Sequence, residues 1–170
     1  MQLQILETFI IKILLFGVFF VHKINTCEKG VVPTIHTKIA KLLLGAGAEI
    51  NRAAKGQLNG WTPLSIASNF GHSETVRFLA DRGATLDWRD AEGMTAINRA
   101  CQTGEEKTVG LLLDLGADAW LEDDTKRHCL FTASEHGHAG LVQLLLEREG
   151  ARVSGTASKA DCLYVASSNG

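Results

Sequence analysis

His128, Cys129, His136 and His138 put three imidazoles and a thiol close together in the chain, and these are ligand types that zinc takes. Their spacing does not make the closed four-ligand pattern of a structural zinc site, so no metal ligand is assigned. The acidic run Glu122, Asp123, Asp124 lacks the ligand alternation and the glycine of a calcium loop and reads as a solvated tip. No Ser, His and Asp order, no paired-carboxylate site and no glycine-rich phosphate loop emerges. The expectation is a chain with no catalytic residue, no cofactor and no small-molecule substrate.

What positions these residues is an internal period. Ala67, Ala100, Ala133 and Ala166 are each 33 residues apart, as are Gly71, Gly104, Gly137 and Gly170. Leu64, Ile97, Leu130 and Leu163 keep the same step, with Val76, Val109, Val142 and with Leu79, Leu112, Leu145. A fixed period changes the meaning of every position in it. His138 shares a column with His72, His136 with Phe70 and Thr103, and His128 fills a column held by Thr62 and Thr95. Cys129 and Cys162 also share a column, which in a stacked array places them on neighbouring helices about 8 to 10 Å apart. A disulfide needs Cα atoms within about 7 Å. The cysteines, Cys101 and Cys129 included, therefore read as reduced, small, buried apolar residues.

Each unit reads as two helices. Leu64, Ala67 and Ser68 fall on one face at helical spacing. Thr62 suits the N-cap and Pro63 the first turn, where a missing N–H costs nothing. Gly71 ends this helix, and Val76, Phe78 and Leu79 form the apolar face of the next, which "RGA" at 82–84 ends. The segment Leu86 to Glu92 returns as an extended turn to the following unit.

With 170 residues, 45% apolar and 21% charged, the composition is that of a globular chain. A formal charge of −2, with no Lys/Arg run, gives no field to hold a polyanion, which sets nucleic acid aside. Residues 9–21, "FIIKILLFGVFFV", are the one strongly apolar run. Broken by Lys12, it is short of the roughly 20 residues that span a bilayer. Three readings stay open for residues 1–34: a secretory signal, a short membrane anchor, or an extension. The repeats favour a cytoplasmic setting, and a secreted or membrane-tethered one follows if residues 1–27 act as a signal or anchor.

The unit resembles the ankyrin repeat, whose glycine, x, Thr-Pro-Leu-His-x-Ala signature continues with a glycine, Val-x-x-Leu-Leu and Gly-Ala. Gly60, Thr62, Pro63, Leu64, Ala67, Gly71, Val76, Leu79, Gly83 and Ala84 match it. Gly93, Thr95, Ile97, Ala100, Gly104, Val109, Leu111, Leu112, Gly116 and Ala117 match again in the next unit. The resemblance covers about residues 35–170: a partial repeat at 35–58, repeats at 59–91 and 92–124, a degenerate repeat at 125–157 and a truncated one at 158–170. The signature histidine is replaced by Ser65, Asn98, Phe131 and Tyr164, and the last two units have Cys129 and Cys162 for proline and His128 and Asp161 for threonine.

The resemblance implies an all-α solenoid with short hairpin-like turns between helix pairs, preceded by an apolar N-terminal helix or disordered segment. It also implies a non-enzymatic module that binds a partner protein through turn tips and the exposed side of each first helix. Those positions are Trp61, Met94 and Arg127 at the tips, with Trp88 and Leu121 just before them. On the first helices they are Asn69 and Phe70, Gln102 and Thr103, Glu135 and His136. Large aromatics and arginine dominate protein interfaces. Trp120 reads instead as packed on its neighbouring turn. The alternative is a fragment or regulatory region of a larger ankyrin-repeat enzyme, channel or effector. Membrane contact is expected only through residues 9–21.

Overall fold

The computed structural model describes residues 32–54 and 60–149. The apolar run 9–21, the truncated repeat 158–170, and Cys27 and Cys162 lie outside the described residues. Within them are seven helices: α1 Val32–Gly45, α2 Pro63–Asn69, α3 Ser73–Asp81, α4 Ala96–Thr103, α5 Glu106–Asp114, α6 Cys129–Glu135 and α7 Ala139–Glu149. No strand occurs among the described residues.

Helices α2, α4 and α6 stack into one layer, and α1, α3, α5 and α7 into a second, with each pair packed across the layers. Phase explains this arrangement. Leu64, Ala67, Ile97, Ala100, Leu130 and Ala133 come from the first layer, and Val76, Leu79, Val109, Leu112, Leu141 and Leu145 from the second. All are buried, and most meet in one continuous core. Small residues on the first layer let the helices approach closely, so each repeat shelters its neighbours and no repeat has a core of its own. In α7 the valine column is held by Val142, which is half-buried, while Leu141 beside it is fully buried.

The helix starts follow the sequence. Thr62 is the N-cap of α2, its hydroxyl accepting the Ser65 N–H at 3.3 Å while Ser65 Oγ accepts the Thr62 N–H at 2.8 Å. These reciprocal bonds satisfy two backbone donors that a helix start leaves orphaned. Ser65, in the signature histidine column, thus serves the local cap. Thr95 and His128 cap α4 and α6 without the return bond, each accepting one backbone N–H, from Asn98 at 3.5 Å and from Phe131 at 3.4 Å. Gly104 ends α4 in the left-handed conformation, φ 83°.

α1 begins at Val32 with Pro33 in its first turn, where proline removes no helical bond. One reading needs correction. Cys101 and Cys129, expected as separate thiols, are joined in a disulfide with Cα atoms 5.7 Å apart. Comparing residues within one column fixes only the full spacing between helices. Cys101, late in α4, and Cys129, the first residue of α6, form a diagonal pair that lies closer.

Polar contacts stitch successive repeats together. Thr37 and Ser73, one from each of two second-layer helices, place their hydroxyls 3.1 Å from Thr75 and 3.0 Å from Thr108. Asn51 Oδ1 accepts the Thr85 N–H, and Asp87 Oδ1 the Asp118 N–H.

Candidate functional site

The turns between repeats are built on two aspartates one period apart. Asp90 Oδ1 accepts the N–H groups of Glu92 and Met94 at 2.9 and 3.0 Å, and Asp123 Oδ1 those of Thr125 and Arg127 at 2.8 and 3.0 Å. The second oxygen of each carboxylate holds a guanidinium, but from a different origin. Arg99, on α4, binds Asp90 through Nε at 2.9 Å and Nη2 at 2.6 Å, whereas Arg127, within the turn, reaches Asp123 at 3.2 Å. Burial on its own would raise the Asp123 carboxyl. The Thr125 hydroxyl, the Arg127 and Thr125 N–H groups and the Arg127 charge outweigh it and hold the carboxyl below its ordinary value.

Arg99 gathers the middle of this surface. Its guanidinium lies 4.4 Å from the centre of the Trp61 ring, a cation–π contact between α4 and the turn before α2. It also reaches Glu92 at 3.0 Å and Gln102 Oε1 at 3.4 Å. Arg127 similarly spans to Glu135 at 2.9 Å. Arg99 escapes the sequence reading because its column holds Ile66 and Thr132, which do not resemble it.

The other expected partner-contacting residues divide by accessibility. Trp88 is 37% exposed, its indole N–H donating to the Gly60 carbonyl at 2.9 Å. Thr103 and His136 are exposed, and Asn69, Phe70, Gln102, Leu121 and Glu135 are half-buried. Met94, read as a tip residue, is only 3% exposed and offers nothing to a partner. Its column mates Trp61 and Arg127 stay half-buried at the surface; the Met94 and Arg127 N–H groups are tied alike to Asp90 and Asp123, so the difference lies in the apolar thioether against the charged guanidinium that reaches Glu135.

The histidines are engaged locally. The His128 ring stands 4.9 Å from that of Trp120, which is half-buried against it. Burial pushes the His128 imidazole below its ordinary value, opposed by the Glu122 carboxylate. His136 Nδ1 is 2.9 Å from the Thr132 carbonyl, and His138 Nε2 is 3.1 Å from the Gln102 carbonyl of the preceding repeat. Glu105, between α4 and α5, has its carboxyl raised by burial, with His138 of the next repeat opposing. Among the described residues no group of three or more His, Cys, Asp or Glu is placed to hold a metal ion. No described helix is long and apolar enough to cross a membrane. The opposite face carries an open groove of about 820 Å³ between α3, α5 and α7, with Gly110 and Leu111 in its lining and Glu74, Lys107 and Glu147 among the charges that border it.

The family model for ankyrin repeats matches three copies over residues 34–123. The chain belongs to the ankyrin repeat family. Ankyrin repeats are non-catalytic modules that generally bind other proteins, and the two-layer stack with projecting turns is the form such a module takes. This ankyrin-repeat chain is also 41% identical over 69 residues to the glycerophosphocholine phosphodiesterase gde1 of Schizosaccharomyces pombe (strain 972 / ATCC 24843). The match takes in 41% of this chain and spans 6% of that protein's length.

Proposed function

We propose that this ankyrin-repeat chain is a non-enzymatic interaction module that docks a partner protein on its turns and on the C-terminal ends of α2, α4 and α6. The observation that carries this reading is accessibility along the first layer. Asn69 and Phe70, Gln102 and Thr103, and Glu135 and His136 end three successive helices, and each is exposed or half-buried. Trp88 adds an exposed aromatic on the turn side. Aromatic anchors supply binding energy, and the polar residues around them supply register.

The test is affinity capture with the full chain against Phe70→Ala, Trp88→Ala and His136→Ala, with Glu74→Ala on the opposite face as control. Partners should be lost at least about tenfold with the first three at an unchanged melting temperature, a drop of roughly 1.4 kcal/mol in binding. Retention of every partner by all three would remove this surface from consideration.

A second reading is that the chain is a regulatory or targeting region of a larger ankyrin-repeat enzyme, favoured by its likeness to a small part of a phosphodiesterase. Reading the genomic sequence beyond the codon for Gly170 separates the two: further repeats or a catalytic domain support this reading, and an immediate stop supports the small module.

A further inference from the structure

We propose that Cys101–Cys129 is a redox-responsive staple that fixes α6 and α7 to the preceding repeat and releases them on reduction. Its position is specific to one junction. Cys101 stands in the column of Ser68 and Ser134, and Cys129 in the column of Pro63 and Ala96. The equivalent place between α2 and α4 is therefore occupied by Ser68 and Ala96, which cannot bond covalently. Only between α4 and α6, among the described residues, do both columns carry sulfur.

The reduced form has a home in the same packing. Ser68 Oγ donates to the Leu64 carbonyl and Ser134 Oγ to the Leu130 carbonyl, each at 2.8 Å, the carbonyl four residues earlier in the helix. For Cys101 that carbonyl belongs to Ile97, and the Cys129 sulfur lies 3.4 Å from its oxygen. The Cys129 thiol formed there has an acceptor waiting. Both cysteines are 0% exposed. A reductant cannot reach either sulfur until α6 lifts, so exchange proceeds through local opening of the last described helix pair.

The chemistry is thiol–disulfide exchange with a small dithiol. One reductant thiolate attacks a cysteine sulfur, breaking the Cys101–Cys129 bond and forming a mixed disulfide. The second reductant thiolate then displaces that sulfur. Two protein thiols and one cyclic reductant disulfide result, with two protons taken up by the protein sulfurs. Oxidation is the reverse, driven by a small-molecule disulfide. The bond links residues 28 apart in the chain and ties the last described helix pair to the repeat before it. Breaking it frees that pair to fray on its own.

The test uses the full chain, oxidised with glutathione disulfide under native conditions and compared with dithiothreitol-treated chain. Peptide mapping should recover Cys101 joined to Cys129. Reduction should speed amide exchange in α6 and α7 by at least about tenfold, leave α2 and α3 unchanged, and lower the thermal midpoint by about 5 to 15 °C. The variant Cys101→Ser/Cys129→Ala, which carries the residues of the junction one repeat earlier, should exchange like the reduced chain and ignore reductant. The comparison of oxidised with reduced natural chain stands without that variant. The proposal is overturned if native oxidation leaves Cys101 and Cys129 as free thiols, if exchange in α6 and α7 is the same in both forms, or if the double variant responds to dithiothreitol as the natural chain does.

Discussion

The Arg99 guanidinium meets the Asp90 carboxylate at 2.6 Å with the two side chains 5% and 1% exposed, so the ion pair is sealed inside the stack. Removing one member of such a pair leaves the other charge buried without compensation. Arg99→Ala should therefore cost about 3 to 5 kcal/mol in urea unfolding. Replacing both, with Arg99→Ile after the Ile66 of the preceding repeat and Asp90→Asn to retain an acceptor for the turn, should cost clearly less than the single change. A single change costing under about 1 kcal/mol would show that the pair does not hold the turn to the helix.

Leu112 sits in the middle of the core with no exposed surface. Leu112→Ala leaves a cavity between two layers that cannot collapse without unstacking, and should cost about 2 to 5 kcal/mol. Calorimetry reads this directly, and an unchanged melting curve would contradict a shared core.

The stack was legible in the sequence because close helix packing admits only small residues at fixed heights, which leaves alanine, glycine and leucine columns in phase. Cap residues were legible for the same local reason: Thr62 and Pro63 act within one turn of chain. Side-chain reach between columns was not. Arg99 crosses from a helix to a turn, and its column mates Ile66 and Thr132 give no sign of it. Met94 shares its column with Trp61 and Arg127, yet it alone of the three is buried. The Cys101–Cys129 bond is diagonal between helices, a relation that comparison within a column cannot show.

Lys126 is the one non-glycine residue with positive φ among the described residues, at 65°, in the column where Gly60 and Gly93 have φ 85° and 73°. At Gly60 and Gly93 a Cβ would lie 2.8 Å from the backbone nitrogen of the next turn, Ala91 or Asp124, so glycine is required there twice over. At Lys126 the left-handed conformation opposes a side chain, and its ion pair with Glu122, at 3.4 Å and well exposed, offsets little. Lys126→Gly should stabilise the chain by about 0.5 to 1 kcal/mol in urea unfolding. Loss of stability would mean that the lysine stem packs on the turn more strongly than its conformation costs.

His128 gives the fold a dependence on pH with a definite sign. Its Nδ1 can accept the Phe131 N–H only while that nitrogen is unprotonated, and the ring is packed on Trp120. Burial sets the folded imidazole below its ordinary value near 6.5, with the Glu122 carboxylate as the opposing charge. The unfolded chain therefore takes up the proton more readily than the folded one. The stability this residue contributes is complete above about pH 6.5 and falls as the pH drops through that value toward the lower folded pKa. His128→Thr restores the residue type of Thr62 and Thr95 at the cap and removes the titration. Urea unfolding at about pH 7.5 and pH 5.5 should show the natural chain losing stability on acidification and the variant losing less. Equal losses in both would assign the acid sensitivity to other groups, and a natural chain that gains stability at the lower pH would reverse the sign argued here.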